Sequence, residues 1–248
     1  SWAREMCIRD RSWIFADDFV LCLGAGIQGD SALAMTTAVE QCHRQGELSV
    51  WRKGKWMKVD GKQTCTDKEQ RFYHNGKGYI LWNNPKGCVA EVAHRKGQWH
   101  DVMQMYRPEE VEGEVISLYV EHGVSPEKST YQYLLLPSVS KEETRKFDLS
   151  SIHVLRNDEI AQAVYLKQNS TWWITVYQPL TMQLSSDTTL EVRTPGIYML
   201  REENGKYRVG CAHPTQQQDS MRLRLNNKDL IVPLSEEKGQ TVFVNLSF

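Results

Sequence analysis

The chain has 248 residues, 40% hydrophobic and 25% charged, with 8 Trp, 10 Tyr, 16 Gly and 8 Pro. That length and aromatic content argue against intrinsic disorder and for one large β domain or two smaller domains. The 30 basic and 31 acidic residues give a formal charge of −1, which argues against nucleic-acid binding through a broad basic field, and no apolar run approaches the roughly 20 residues of a membrane-spanning helix.

Residues 1–11 have no period of 2 or 3.6 and lack the layout of a secretory signal. The run Glu5-Met-Cys-Ile-Arg-Asp10 resembles the translation of a transposase sequencing adapter, so residues 1–11 are set aside as an artefact. The remainder is expected to be a fragment of a longer reading frame. Period-2 alternation then predicts strands over residues 19–23, 49–51, 78–82, 88–93, 115–121 and 131–136. Ser140-Lys-Glu-Glu143 is a capping-box pattern that opens a short helix, and the polar Asp148-Leu-Ser-Ser151 suits an interdomain link. Further strands are predicted at 163–166, 172–177, 189–193, 197–201, 207–212, 221–225 and 242–246. Trp51-Arg-Lys-Gly-Lys-Trp56 and Arg201-Glu-Glu-Asn-Gly-Lys-Tyr207 read as hairpins, the second with the Asn-Gly pair suited to a type I′ turn. The expected class is all-β: a large, partial antiparallel sandwich over 12–147, then a smaller one over 148–248.

Each chemical motif has a plain structural alternative. Gly24-Ala-Gly26-Ile-Gln-Gly29 is a formal G-x-G-x-x-G after an apolar run, as in a dinucleotide-binding turn. The β-preferring Met35-Thr-Thr-Ala-Val39 and the absence of a second βαβ unit favour a Gly-rich turn between antiparallel strands. Asp17 and Asp18 are adjacent, so on a strand they point to opposite faces, and a solvated turn suits them better than a shared proton. The seven His and six Cys show no metal-ligand spacing, and buried thiols are expected on the strands. Trp172-Trp173 should place one ring in a core and the other outside, where it is available to stack on a sugar. The basic run at Lys53 and Lys55 reads as a solubilised hairpin tip, with contact to an anionic polymer as the alternative.

A family resemblance goes further. Ser12-Trp-Ile-Phe-Ala-Asp-Asp-Phe-Val-Leu-Cys-Leu-Gly-Ala-Gly-Ile27, followed by Thr36-Thr-Ala-Val-Glu-Gln41, resembles the central-domain signature of polysaccharide lyase family 8, the chondroitin AC, hyaluronate and xanthan lyases. Glu121-His-Gly123, Tyr131-Gln-Tyr133, Ile152-His-Val-Leu155, Ile160-Ala-Gln-Ala-Val164 and Ala212-His-Pro-Thr-Gln216 follow in family order, with His213 where the family carries Asp. The resemblance implies the latter part of a central β-sandwich plus a C-terminal β-sandwich of an exported, secreted or periplasmic bacterial enzyme.

The family's reaction is β-elimination at a uronic acid. It uses an Asn that helps neutralise the carboxylate, and a Tyr, His and Arg that handle the proton. Those groups sit on an N-terminal helical toroid, so the resemblance places no catalytic, cofactor or metal residue in this chain and leaves its substrate contacts unassigned. A structural calcium, known in the family, has no assignable ligands here. The implied partners are an acidic polysaccharide and the toroid of the same chain, in a monomer with no nucleic acid and no membrane span. The fragment alone is expected to be inactive. A central sandwich cut in mid-sheet is expected to expose an edge and aggregate. The rival readings are a stand-alone carbohydrate-binding sandwich and a dinucleotide enzyme using Gly24, Gly26 and Gly29.

Overall fold

The computed structural model describes residues 10–30, 32–234 and 239–247. The chain divides into two compact units, Ser1–Phe147 and Asp148–Phe248. Residues 1–9 of the segment set aside as an adapter translation lie outside the described residues, whereas Asp10 and Arg11 open the first strand.

The first unit contains β1 (Asp10–Phe15), β2 (Val20–Ile27), β3 (Ala34–His43), β4 (Ser49–Arg52), β5 (Lys55–Lys58) and β6 (Lys62–Cys65). It continues with β7 (Glu69–His74), β8 (Lys77–Trp82), β9 (Cys88–Gln98), the single turn α1 (Trp99–Val102), β10 (Glu110–Val124), β11 (Ser129–Leu136) and α2 (Lys141–Lys146). These form a seven-stranded sheet, β1-β2-β11-β8-β7-β4-β5, and a four-stranded sheet, β3-β10-β9-β6, with antiparallel pairing throughout. Ile27, Val50, Phe72, Leu81, Ala90, Ile116, Leu118 and Tyr131 fill the core of this unit. β2 is buried on both faces from Leu21 to Ile27, which is why its sequence is apolar without alternation. Beyond Ala93, β9 and the start of β10 form an exposed ribbon with polar side-chain contacts between the strands: Lys96 pairs with its register partner Glu112 at 2.8 Å and diagonally with Glu110 at 3.1 Å, and His94 lies 3.3 Å from Glu112.

Ser140 caps α2: its hydroxyl accepts from the Glu143 amide while the Glu143 carboxylate accepts from the Ser140 amide. Arg71 ties the other end of this helix to β7, its Nη1 donating to the carbonyls of Thr144, Arg145 and Phe147 at 2.8, 2.7 and 3.0 Å. These are otherwise unpaired C-terminal carbonyls, and a cation at that end also meets the negative pole of the helix.

The second unit contains a 3-10 turn at Leu149–Ser151, then β12 (Ile152–Asn157), β13 (Ala161–Leu166), β14 (Thr171–Val176), β15 (Leu180–Ser185) and β16 (Thr188–Val192). It ends with β17 (Gly196–Glu203), β18 (Lys206–Ala212), β19 (Ser220–Leu225), β20 (Lys228–Pro233) and β21 (Val242–Ser247). A six-stranded sheet, β12-β13-β14-β17-β18-β21, faces a four-stranded sheet, β15-β16-β19-β20. Alternate side chains such as Trp172, Ile174, Tyr198, Leu200, Val209, Leu223 and Leu225 meet in one core.

Both expected hairpins form. Trp51 pairs with Trp56 around Lys53-Gly54, and Glu203 pairs with Lys206 around Asn204-Gly205. All four turn residues have φ between 49° and 77°, the left-handed geometry of a type I′ turn.

The dinucleotide reading of Gly24, Gly26 and Gly29 is overturned. The expected Gly-rich turn is corrected as well: Gly24 and Gly26 sit inside the buried strand β2, which pairs antiparallel with β1 and β11, and the next element is strand β3. Among the described residues no strand-to-helix turn is there to present backbone amides to a pyrophosphate. Gly24 is required by space instead, because a Cβ there would lie 2.1 Å from the Tyr131 ring.

Candidate functional site

Three groupings of polar side chains stand out among the described residues. The first lies where β3 meets β7 and β8. Glu40 accepts from the Lys77 ammonium and from the Tyr79 hydroxyl at 2.7 Å, and the latter bond joins the two sheets. Burial pushes the Glu40 carboxyl up, but the hydrogen bonds from Lys77 and Tyr79 outweigh it and leave the group below its ordinary value. Burial and the neighbouring Glu40 carboxylate push the Tyr79 phenol above its ordinary range. His74 is buried beside them; its Nε2 accepts from the Gln45 amide at 3.2 Å, and burial followed by the Lys77 charge lowers its pKa. A phenol held protonated against a carboxylate is a poor general base, so this cluster is structural.

Glu40→Gln is accordingly expected to cost about 1–2 kcal/mol at neutral pH. The folded-state pKa is depressed, so the stability it contributes is present above the ordinary carboxylate value and lost as pH falls through the lowered one. Urea unfolding of wild type and variant should therefore differ at neutral pH and converge in acid. A gap that persists in acid would mean the ionised carboxylate is not what stabilises.

The second grouping is a relay through His122, whose Nε2 lies 2.8 Å from Thr37 Oγ1 and Nδ1 2.9 Å from Ser129 Oγ. It pins β3 and β10 to β11 in the buried interior. The cysteines among the described residues form no disulfide. Cys22, Cys65, Cys88 and Cys211 are buried free thiols, and burial pushes Cys211 up to about 12.

The third grouping is open to solvent. The outer faces of β17, β18 and β21 line a groove of about 630 Å³, within the size range of ligand pockets, with Arg201, Lys206, Arg208, Phe243, Asn245 and Ser247 among its walls. Strand register builds it. Arg201, Arg208 and Asn245 are partners across three strands, with Glu203, Lys206 and Ser247 on the next rung and Met199, Gly210 and Phe243 on the one before. The Arg208 guanidinium lies 4.4 Å from the Phe243 ring centroid. Arg201 pairs with Glu203 at 2.9 Å, and Lys228 Nζ donates to the Ser247 carbonyl at 3.2 Å.

Sequence reasoning did not single out these residues. Some 40 positions separate Arg201 from Phe243, and only the strand register unites them. The available signal was the period-2 placement of Arg201 and Glu203, Lys206 and Arg208, and Phe243 and Asn245. Of the residues considered from sequence, Asp17 and Asp18 lie in an exposed bend, Trp172 is in the core and Trp173 is half-buried on the opposite face. His94 meets Glu112 at 3.3 Å, while His100 Nδ1 lies 2.9 Å from the Tyr106 carbonyl.

These features define a protein of two successive antiparallel β-sandwiches, with 11 strands in the first and ten in the second among the described residues. Residues 8–148 match the polysaccharide lyase family 8 super-sandwich domain, and residues 153–222 match the family's C-terminal β-sandwich domain. The chain belongs to polysaccharide lyase family 8. It is 28% identical to a chondroitinase-AC of Pedobacter heparinus over 94% of its own length and 34% of the relative's. It is also 28% identical to a hyaluronate lyase of Thermasporomyces composti, over 90% of this chain and 29% of that one. A solved chondroitinase AC lyase superposes with a TM-score of 0.84 at 24% identity, covering 95% of this chain and 36% of that one. A Paenibacillus xanthan lyase superposes at 0.80 and 17% identity, covering 96% and 26%. The chain thus spans between about a quarter and a third of the length of these relatives.

Proposed function

We propose that this chain is the β-sandwich portion of an exported polysaccharide lyase that cleaves uronic-acid-containing polymers of the chondroitin or hyaluronan type by β-elimination. In this reading, residues 12–147 form part of the central sandwich and 148–248 the C-terminal one. The catalytic groups belong to a helical toroid of the same protein outside these residues, and the sandwiches support it and wall one side of the substrate cleft. Relatives named for chondroitin and hyaluronate support the polymer class, and each is about three times as long as the matched region, which is compatible with a further domain.

The observation that carries the reading is on β1. Trp13 and Phe15 share the sheet face of their register partners, Cys22 with Tyr133 and Val20 with Leu135, which pack in the core. Yet they are 59% and 70% exposed. Two large aromatic side chains on an interior face call for a covering layer, and further strands of the same protein would provide it. Among the described residues no helix is long and apolar enough to cross a membrane. The test is the native coding sequence upstream of Ser12. It should encode additional strands and, before them, a helical domain carrying Asn, His, Tyr and Arg. A native start immediately upstream, with no such domain, would leave a stand-alone carbohydrate-binding protein instead.

A further inference from the structure

We propose that the groove on β17, β18 and β21 is a binding subsite for an anionic polysaccharide, separate from the chemistry of bond cleavage. The choice of polymer rests on the lyase reading above; the site itself rests on the geometry of the second unit.

Three features converge there. The first is charge. Arg201, Lys206 and Arg208 line the groove against one carboxylate, Glu203, whose partner is Arg201. Among the described residues neither Lys206 nor Arg208 has a carboxylate partner, and the Lys228 ammonium is held at the Ser247 carbonyl, at one end of the groove. The chain as a whole is close to neutral, so this local excess of cations is a feature of the groove and not of the average surface.

The second feature is an aromatic face. Phe243 is 44% exposed although it occupies a sheet, and its ring lies over Gly210, where a Cβ would sit 2.8 Å from the ring. The missing side chain at Gly210 lets the ring lie across β18 and present an apolar surface. Such a surface suits the C–H face of a pyranose. The third feature is the pairing of that ring with a guanidinium. Arg208 rests 4.4 Å from the Phe243 centroid, which limits its rotamers before any ligand arrives and leaves its N–H fork for a carboxylate or sulfate. Asn245 and Ser247 on the same face add hydroxyl-matching groups.

The ligand this combination fits has sugar rings bearing regularly spaced anions. A neutral glycan would leave the cations unused, and a flexible acidic peptide has no flat C–H face to set on Phe243. Nucleic acid offers flat bases and phosphates, so it is the competitor the experiment must separate.

The test is calorimetric titration of the 248-residue chain with chondroitin sulfate at low and at near-physiological salt. Wild type should bind, and more weakly as salt rises, since exposed charge pairs are screened over about 8–10 Å. Arg208→Glu should weaken binding about tenfold, and Phe243→Leu, which keeps Gly210 covered but removes the aromatic face, about fivefold. Lys68→Glu, in the exposed turn before β7, should bind as wild type does, and all three should keep the wild-type Tm. Single-stranded DNA should bind more weakly than chondroitin sulfate at both salt concentrations. The proposal is overturned if wild type does not bind, if Arg208→Glu and Phe243→Leu bind like wild type, if Lys68→Glu loses as much as they do, or if DNA binds equally through the same residues. Binding through the groove in a protein whose gene lacks the toroid would remove the lyase reading and leave this site. A toroid without groove binding would do the reverse.

Discussion

Gly24→Val is expected to lower the stability of the first unit by about 3 kcal/mol, at the upper end for overpacking a core. The new Cβ would lie 2.1 Å from one Tyr131 ring carbon and 2.4 Å from another. The ring has little room to retreat, since Tyr131 is 2% exposed and stacks on Tyr133 with centroids 5.9 Å apart. Gly54→Asn is the contrasting case. Gly54 has φ +77 in a type I′ turn with nothing within 4 Å of a built Cβ, and Asn tolerates that backbone, so the cost should be a few tenths of a kcal/mol. Urea denaturation compares the two. Equal, small costs would mean that the close approach of β2 to Tyr131 is not what demands glycine.

Trp172→Ala should cost the second unit about 3–5 kcal/mol, the range for truncating a large buried aromatic residue. Trp172 is 3% exposed, its ring centroid lies 4.6 Å from that of Tyr165 and 6.4 Å from that of Tyr207, and its Nε1 donates to the Leu184 carbonyl at 3.4 Å. Truncation removes packing on three sides and leaves that carbonyl without its donor. Trp173 points to the other face, opposite Met199 in the register, and is only half-buried. Trp173→Ala should cost about 1 kcal/mol. A larger loss for Trp173 than for Trp172 in chemical denaturation would reverse the assignment of faces.

That alternation shows what the sequence made legible. Strands with one buried face and β-preferring residues, such as β11, β14 and β18, stand out by period, and the Ser140 capping box marks α2 directly. β6 and β7 do not. In β7 the buried positions include Gln70 and His74, so polar side chains break the hydrophobic pattern, and β6 has four residues of which only Cys65 is buried. The outer halves of β9 and β10 escape detection for another reason: ion pairs line their exposed ribbon, where no core imposes alternation. β1 is hidden in the sequence because its first two residues continue the adapter-like run and its aromatic residues Trp13 and Phe15 are exposed. Family membership was readable from the run between Ser12 and Ile27, whose shape is fixed by the doubly buried β2 and by the contact of Gly24 with Tyr131. The groove was not readable, because its chemistry depends on which residues of three strands face one another.

The most direct measurement of the central claim follows unsaturated uronate by ultraviolet absorbance, with chondroitin and hyaluronan supplied separately. Two proteins are compared: the 248-residue chain, and the product of the native coding sequence with the upstream domain proposed above, read through from before Ser12. Absorbance should rise for the longer protein on at least one polymer and stay flat for the 248-residue chain on both. A rise with the 248-residue chain alone, or none with the longer protein on either polymer, would contradict the account.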